Sequence, residues 1–443
     1  MRSKILQLFL ISSLSPFILQ AQFNFMQGYV DMREARIWLG NDYYTQAKIH
    51  YREAENTSAK VSIVPITLNE NNRYTATAIL SPLKPGTSYR YWVEANNPSG
   101  ATVLFGDTSS FTTQPLWQFR SEPPNFTLAT GSCSFINVPE LDRPGDPFGG
   151  EYAIYNAIAS RKPNLMVWLG DNIYLREADY HCETCIDERY LHSRSLPEMQ
   201  SLLHNVANVA IWDDHDFGPN DADGSYIHKD WTLNAFKRFW ANPSYGIPGS
   251  DAAEGITSYL PFHDVGVFLL DNRYHRTSPD TLDTTLPTIL GESQLQWLFQ
   301  SLKKSKASFK IIALGGQFLN TETYPENYST YPIERQRILN FIDQEHIENV
   351  IFLTGDRHCG ELSAVQLPSG IAVYDLTVSP LTSRSFDISK EKNTTRVEGT
   401  LINKRHFATI EFSGPIKERQ AKIRVFDSQG VEQYSKTIQR EKQ

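Results

Sequence analysis

Between residues 24 and 115 apolar and polar positions alternate in short runs. "AKIHYRE", "KVSIVPI" and "YTATAIL" each have the pattern of a half-buried strand, and Asn- and Ser-rich stretches divide them. "LKPGTSYRYWVEANNPSG" adds a Pro-Gly turn, an alternating strand and a further turn before the pattern closes at "SSFTTQP". An all-β domain is therefore expected over residues 24–115, with Pro115 to Pro124 as a linker. From about residue 126 the period changes. Continuous apolar runs, "FTLAT", "NLMVWL", "NVAIW", "VGVFLL", "FKIIAL" and "NVIFLT", alternate with helix-like segments. The clearest of these segments are "EYAIYNAIASR", "DWTLNAFKRFW", "ESQLQWLFQSLKKS" and "ERQRILNFIDQEH". This order predicts an α/β layered domain over residues 126–440, finished by strands in "HFATIEF" and "AKIRVFDSQGVEQYSKTIQ".

The length of 443 residues exceeds what one core usually organises, in keeping with two domains. The all-β pattern resembles a fibronectin type III sandwich. At the N-terminus Arg2 and Lys4 precede an apolar stretch that is broken by Ser and Pro and ends near Ala21. That pattern predicts a secretory signal over residues 1–21, too short and interrupted for a spanning helix, and hence a secreted or periplasmic protein. A net charge of -8 lacks the basic footprint that general nucleic-acid binding needs. Of the four cysteines, Cys182 and Cys185 are spaced for a local disulfide in an oxidising compartment, or for zinc together with His181 and His192.

The chemistry lies just after the apolar runs. "FTLAT" leads into Gly131, Ser132 and Cys133, and "NLMVWL" into Gly170, Asp171, Asn172 and Tyr174. "NVAIW" leads into Asp213, Asp214, His215 and Asp216, and "VGVFLL" into Asp271, Asn272 and Arg273. "FKIIAL" ends at Gly315, Gly316 and Gln317, and "NVIFLT" at Gly355, Asp356, Arg357 and His358. Open α/β sheets bind ligands beyond the carboxyl ends of their strands. One such cluster would be an ordinary solvated loop; six at corresponding places point to a site. Carboxylates crowded at one edge repel unless they are protonated or neutralised by cations. With a thiol, a phenol and an imidazole they form the inventory of a two-metal site that clamps a phosphoryl group.

"GDNIY", "WDDHDFGPND" and "LTGDRHCGEL", with "LDNRYHR" between the last two, resemble the calcineurin-like metallophosphoesterases. Within them the match is to the branch of PhoD-type alkaline phosphatases and phosphodiesterases. The resemblance implies a four-layer α/β/β/α sandwich preceded by a small all-β, fibronectin III-like domain. It implies Fe³⁺ held by Cys133, Asp171, Tyr174 and His358, with Asp171 bridging. Ca²⁺ would then take Asp171, Asp214, Asp356 and Asn220, with Gln317 a further candidate. Thiolate and phenolate suit a transition ion and the all-oxygen set a hard cation.

The implied activity is hydrolysis of a small phosphate ester by in-line attack of a metal-bound hydroxide on phosphorus. His215 is expected beside the substrate, and Asn172 as a donor to phosphate. Arg273 is expected either to meet phosphate oxygens with its planar fork or to brace Asp271. Arg276 and Arg357 are supporting charges, and Cys359, one residue past His358, is a small core filler. One rival mechanism makes Cys133 a nucleophile, though "GSCSFINV" shows no anion cradle. Two rival functions are a secreted cation-binding adhesion module and a phospholipase D-type diesterase. Residues 175–200 or 276–292 are the candidate lids that would select the substrate.

Overall fold

Seven antiparallel strands open the chain: β1 (Asn24–Val30), β2 (Ala35–Gly40), β3 (Gln46–Glu53), β4 (Ser62–Thr67), β5 (Thr75–Leu80), β6 (Ser88–Asn96) and β7 (Thr102–Thr112). They form two sheets, ordered β1-β2-β5 and β4-β3-β6-β7. In β6 the alternation is direct: Tyr89, Tyr91, Val93 and Ala95 are buried while the residues between them are not. The computed structural model describes residues 23–440 apart from 42–43, 57, 59, 97–101 and 280–285. The signal segment expected over residues 1–21 lies outside the described residues.

The remaining strands are β8 (Phe126–Gly131), β9 (Leu165–Leu169), β10 (Ala207–Ile211), β11 (Ser258–Phe262), β12 (Val265–Leu269), β13 (Phe309–Ala313), β14 (Val350–Thr354), β15 (Gly360–Gln366), β16 (Ala372–Val378), β17 (His406–Ser413), β18 (Gln420–Asp427) and β19 (Glu432–Gln439). They build two six-stranded sheets, β10-β9-β8-β17-β18-β19 and β11-β12-β13-β14-β16-β15. In the first, β8, β9 and β10 run parallel. In the second, β12, β13, β14 and β16 run parallel between antiparallel edges.

Among the described residues seven α-helices accompany them: α1 (Ile154–Ser160), α2 (Glu183–Arg194), α3 (Gln200–Asn205), α4 (Asp214–Phe217), α5 (Lys229–Phe239), α6 (Glu292–Lys304) and α7 (Pro332–Gln344). Period-two side-chain placement separates the layers of the second sheet. Phe268, Ile312, Phe352 and Val373 pack outward against Leu295, Leu298 and Leu302 of α6 and Ile338 and Ile342 of α7. Their neighbours Val267, Leu269, Ile311, Ile351 and Leu353 turn inward, into the same core as Leu128, Val167 and Ile410 of the first sheet. On the far side Tyr155 of α1 packs on Trp168, so the order is helix, sheet, sheet, helix. Because both faces of the inner strands are covered, they appear in the sequence as unbroken apolar runs.

The β-sandwich does not stand apart from these layers. Its core residues belong to one continuous cluster with those of the first sheet. The Trp38 indole donates to Arg238 O at 2.7 Å, the Tyr91 hydroxyl to His204 O at 2.6 Å and the Tyr29 hydroxyl to Pro261 O at 2.6 Å. The change of composition near residues 115–126 is a change of sheet rather than a gap in packing.

At the amino ends of the inner strands a buried ion pair clamps the two large sheets. Arg419, before β18, donates to both oxygens of Asp264, before β12, at 3.0 and 2.8 Å. Removing one partner strands the other charge in the core, so Asp264→Ala should lower unfolding free energy by about 3–5 kcal/mol in urea denaturation. Replacing both residues by apolar ones should recover most of that loss; an Asp264→Ala change below about 1 kcal/mol would show the clamp to be dispensable.

Acid should also loosen the fold. Burial pushes His204, His263 and His406 each down to about 4. Below the ordinary histidine value near 6.5 the unfolded chain takes up protons that the folded chain refuses, so stability falls as pH drops from about 6.5 towards 4. Thermal unfolding across that range should show the decline, and His406→Gln should make it shallower.

Candidate metal centre

Every parallel strand of the two sheets ends at the same edge, and the expected ligands gather there. β8 delivers Cys133, β9 delivers Asp171 and Tyr174, and β10 delivers Asp213 and Asp214. From the other sheet β14 delivers Asp356 and His358. One ligand atom each from Cys133, Asp171 and His358 lies within 4.8 Å of the others, and the same holds for Asp171, Asp214 and His215 and for Asp213, Asp214 and Asp356. The three sets overlap through Asp171 and Asp214. The Tyr174 hydroxyl joins the first set, donating to Asp171 Oδ2 at 2.9 Å and lying 3.2 Å from His358 Nε2.

The backbone is bent to achieve this. Cys133, Asp171, Asp356 and His358 all have positive φ, between 50° and 66°. Side-chain-bearing residues adopt that conformation at a cost of roughly 1–2 kcal/mol each, which surrounding structure must sustain. Gly170 shows how close the turns are: a Cβ there would lie 2.7 Å from Asp213 N, and its φ is 91°. The arrangement is also electrostatically extreme. Burial first, then Asp214 and Asp213, push Asp171 up, while burial, Asp213 and Glu326 do the same to Asp356. Asp214 moves the other way: burial opposes it, but His215 and Arg273 hold its carboxyl below the usual range. Burial lowers His358 to about 3, so its imidazole is neutral and able to ligate. Asp213 Oδ2, Asp214 Oδ1, Asp356 Oδ2 and His358 Nδ1 are buried without a hydrogen-bond partner. These orphaned acceptors fit cations.

A cavity of about 1080 Å³ opens onto this edge. Tyr174, His215 and Asn220 line it, as do Phe135, Phe148 and Arg384. The His215 ring packs 4.3 Å from that of Tyr174, and its Nε2 lies 4.0 Å from Asp214 Oδ2. Asn220 is exposed at the cavity wall.

Three expectations need correcting. Arg273 is fully buried, so its fork does not meet a substrate: Nε donates to Asp213 Oδ1 at 2.5 Å, NH1 to Ala222 O at 3.1 Å and NH2 to Glu326. It braces Asp213 by its side chain and Asp271 only through its backbone N–H. The Asn172 amide points away from the cavity and donates to Ile211 O at 2.8 Å. Gln317 is held by Glu361, Thr377, Asn320 and Arg357, which leaves it no free oxygen for a metal. Of the two readings of Cys182 and Cys185, the disulfide is the one the structure holds.

The supporting groups fare as expected. Arg276 meets Glu326 at 2.9 Å, Arg357 meets Glu391 at 2.5 Å, and Cys359 is a buried free thiol. Cys133 is fully buried and its thiol is pushed well up by burial and by Asp171 and Asp356, the opposite of a thiolate nucleophile.

Sequence patterns missed three contributors. Ser379 Oγ donates to Cys133 Sγ at 3.1 Å and Ser383 Oγ lies 3.2 Å from His358 Nε2; both follow β16. The strand-end rule finds them once "AVYDLTV" is recognised as a strand. Glu326, the counter-charge to Arg273 and Arg276, carries no local signal. Phe148 and Arg384 form part of the cavity wall where residues 175–200 or 276–292 were the expected lids; among the described residues of those spans, Leu175, Arg176, Glu177 and Tyr180 line it.

Residues 128–422 match the family model described as PhoD-like phosphatase. The chain is 26% identical over 324 residues to the protein named alkaline phosphatase D of Bacillus subtilis (strain 168), covering 61% of this chain and 55% of that one. It thus spans little more than half the length of that relative. A solved structure of PhoD superposes with a TM-score of 0.72 at 17% identity, covering 95% of this chain and 92% of the other. A purple acid phosphatase from yellow lupin (Lupinus luteus) seeds superposes with a TM-score of 0.67 at 11% identity, covering 95% and 74%. The likeness of these two structures shows a shared fold of two packed sheets covered by helices, and the match to the family model extends over most of those layers. The chain belongs to the PhoD-like phosphatase family.

Proposed function

We propose that this protein is an exported, metal-dependent phosphoric ester hydrolase acting on phosphomonoesters and phosphodiesters. The observation that carries this reading is the set of three overlapping ligand clusters, joined through Asp171 and Asp214, beside a cavity large enough for an organic phosphate ester. Export is supported by the charged and apolar N-terminal stretch and by the Cys182–Cys185 disulfide. No helix among the described residues is long and apolar enough to cross a membrane.

Cys133, Asp171, Tyr174 and His358 would hold Fe³⁺, because thiolate and phenolate favour a transition ion. Asp171, Asp214, Asp356 and Asn220 would hold Ca²⁺ through oxygen alone. Bound cations supply charge neutralisation at phosphorus and a lowered pKa for water. The chain's own contribution is positioning. Arg273, gripped by Asp213 and Glu326, fixes the Asp213–Asp214 turn. The His215 N–H and Asp221 N–H donate to Asp171 Oδ1 at 3.2 Å and Asp214 Oδ2 at 2.8 Å, orienting both carboxylates. The His215 ring lines the cavity, where burial keeps it neutral; its Nδ1 is buried, so Nε2 is the ring nitrogen it can offer the substrate. Phe135 and Phe148 give the cavity an apolar wall against the organic part of the ester.

The deciding assay is hydrolysis of p-nitrophenyl phosphate and bis(p-nitrophenyl) phosphate, side by side, by protein of known metal content. Turnover should vanish with a chelator and return with Ca²⁺, and the ratio of the two rates ranks the ester classes. Absence of turnover on both by fully metallated protein would overturn the proposal and favour a cation-binding module.

Two variants separate the roles. Cys133→Ala should lose iron and activity together, whereas a fully metallated, silent Cys133→Ala protein would revive the nucleophile mechanism. His215→Asn should keep its metals while kcat falls about 10²-fold or more, as expected of a group that acts on the substrate.

A further inference from the structure

A guanidinium taken out of water needs a negative partner. The buried Arg176, Arg189, Arg273, Arg276, Arg357 and Arg419 each meet a carboxylate. Arg194, at the end of α2, is the exception. It is only 3% exposed, and no carboxylate among the described residues lies within ion-pair reach. Its NH1 lies 2.8 Å from Met26 Sδ, and its guanidinium sits 4.5 Å from the ring centroids of both Trp38 and Trp240. Nε and NH2 have no hydrogen-bond partner among the described residues.

Beside it is a small pocket of about 20 Å³, lined by Arg194 with Asn172, Ile173, Tyr190, Leu203 and Trp240 among others. That volume admits one water molecule or one monatomic ion. Besides the two Arg194 nitrogens, the Tyr190 hydroxyl and Trp240 Nε1 are buried there, with the indole N–H directed to the Tyr190 oxygen and the phenolic O–H left over, against one unpartnered acceptor, Asn172 Oδ1. Asn172 cannot turn its amide nitrogen inward, since Nδ2 is held by Ile211 O. Donors therefore outnumber acceptors, and the lining carries a full positive charge. Asp216 does not compensate it: its oxygens accept the backbone N–H groups of Asn172, Ile173 and Asp213. Burial accordingly holds Arg194 down to about 9.

We propose that this pocket is a halide site, binding one chloride ion through Arg194 and Tyr190. The ion lies behind the Asn172–Ile173 turn that connects Asp171 to Tyr174. It also joins three parts of the fold, because Met26 and Trp38 come from the β-sandwich, Arg194 from α2 and Trp240 from the end of α5. Chloride thus supplies the counter-charge on which the seating of the β-sandwich against the metal-bearing layer depends.

Crystals of the metallated full chain grown in sodium bromide should show an anomalous bromine peak in hydrogen-bonding contact with Arg194; a water molecule there, with no anomalous signal, overturns the proposal. In solution, unfolding temperature should rise saturably with sodium chloride relative to sodium gluconate of equal ionic strength. Arg194→Met should remove the chloride-specific increment. Should that variant fail to fold, Tyr190→Phe, which deletes one donor, should raise the chloride midpoint about tenfold. An identical chloride response in wild type and Tyr190→Phe, or no chloride-specific response in wild type, overturns the site.

Discussion

Negative charge buried between two sheets is the constraint around which this molecule is arranged. Asp171, Asp213, Asp214, Asp216 and Glu326 are each at most 3% exposed, and Asp356 joins them at the same edge. Unit charges a few ångströms apart in such surroundings repel by several kcal/mol. The chain offsets part of this itself. Arg273 and Arg276 converge on Glu326, Arg273 also holds Asp213, and Asp216 accepts three backbone N–H groups. What remains uncompensated is Asp213 Oδ2, Asp214 Oδ1 and Asp356 Oδ2, beside Asp171, and that remainder is where cations would be held.

The sheets exist in this form because the site needs them. Strain at four positive-φ positions is tolerable only if the strands behind them cannot relax, and each ends a strand packed on both faces. The two sheets meet at their amino edge through the Arg419–Asp264 clamp and at their carboxyl edge through Ser132, whose N–H and hydroxyl both reach Val378 O. Fixing both edges sets the spacing between the half of the site carried by Cys133 and Asp171 and the half carried by Asp356 and His358.

How much of this the sequence discloses follows from where the physics is local. The six apolar runs became β8, β9, β10, β12, β13 and β14, because strands covered on both faces must be apolar throughout. The ligand candidates were legible for the same reason: each stands directly behind such a run. β16 escaped notice because Asp375 interrupts it, a buried carboxylate satisfied by Phe318 N, Leu319 N and the Thr354 hydroxyl. α2 escaped because it buries Asp187, Arg189, Ser193 and Arg194 rather than an apolar stripe. The direction of a side chain is not local either. Asn172 and Arg273 sit where a phosphate-binding residue would stand, yet pairing with Ile211 O and with Glu326 turns both away from the cavity.

The mixed character of the first ligand set resolves an apparent contradiction. A cluster of ionised ligands could hardly fold before its cation arrived, yet Cys133 and Tyr174 are neutral at neutral pH, pushed well up by burial and by Asp171. In that form they are donors. The Tyr174 hydroxyl donates to Asp171 Oδ2 at 2.9 Å and the Cys133 thiol approaches the same oxygen at 3.5 Å. The protonated pair thus stabilises the carboxylate that would otherwise be the most repelled. A cation that takes thiolate and phenolate must displace both protons, so its binding is linked to pH and strengthens as pH rises. Asp171 would keep a partner on either side of that exchange: two acidic hydrogens before it, and the cation after it. Aspartate or histidine in place of Cys133 and Tyr174 would give a cation strong ligands too, but a carboxylate there would add to the repulsion instead of relieving it.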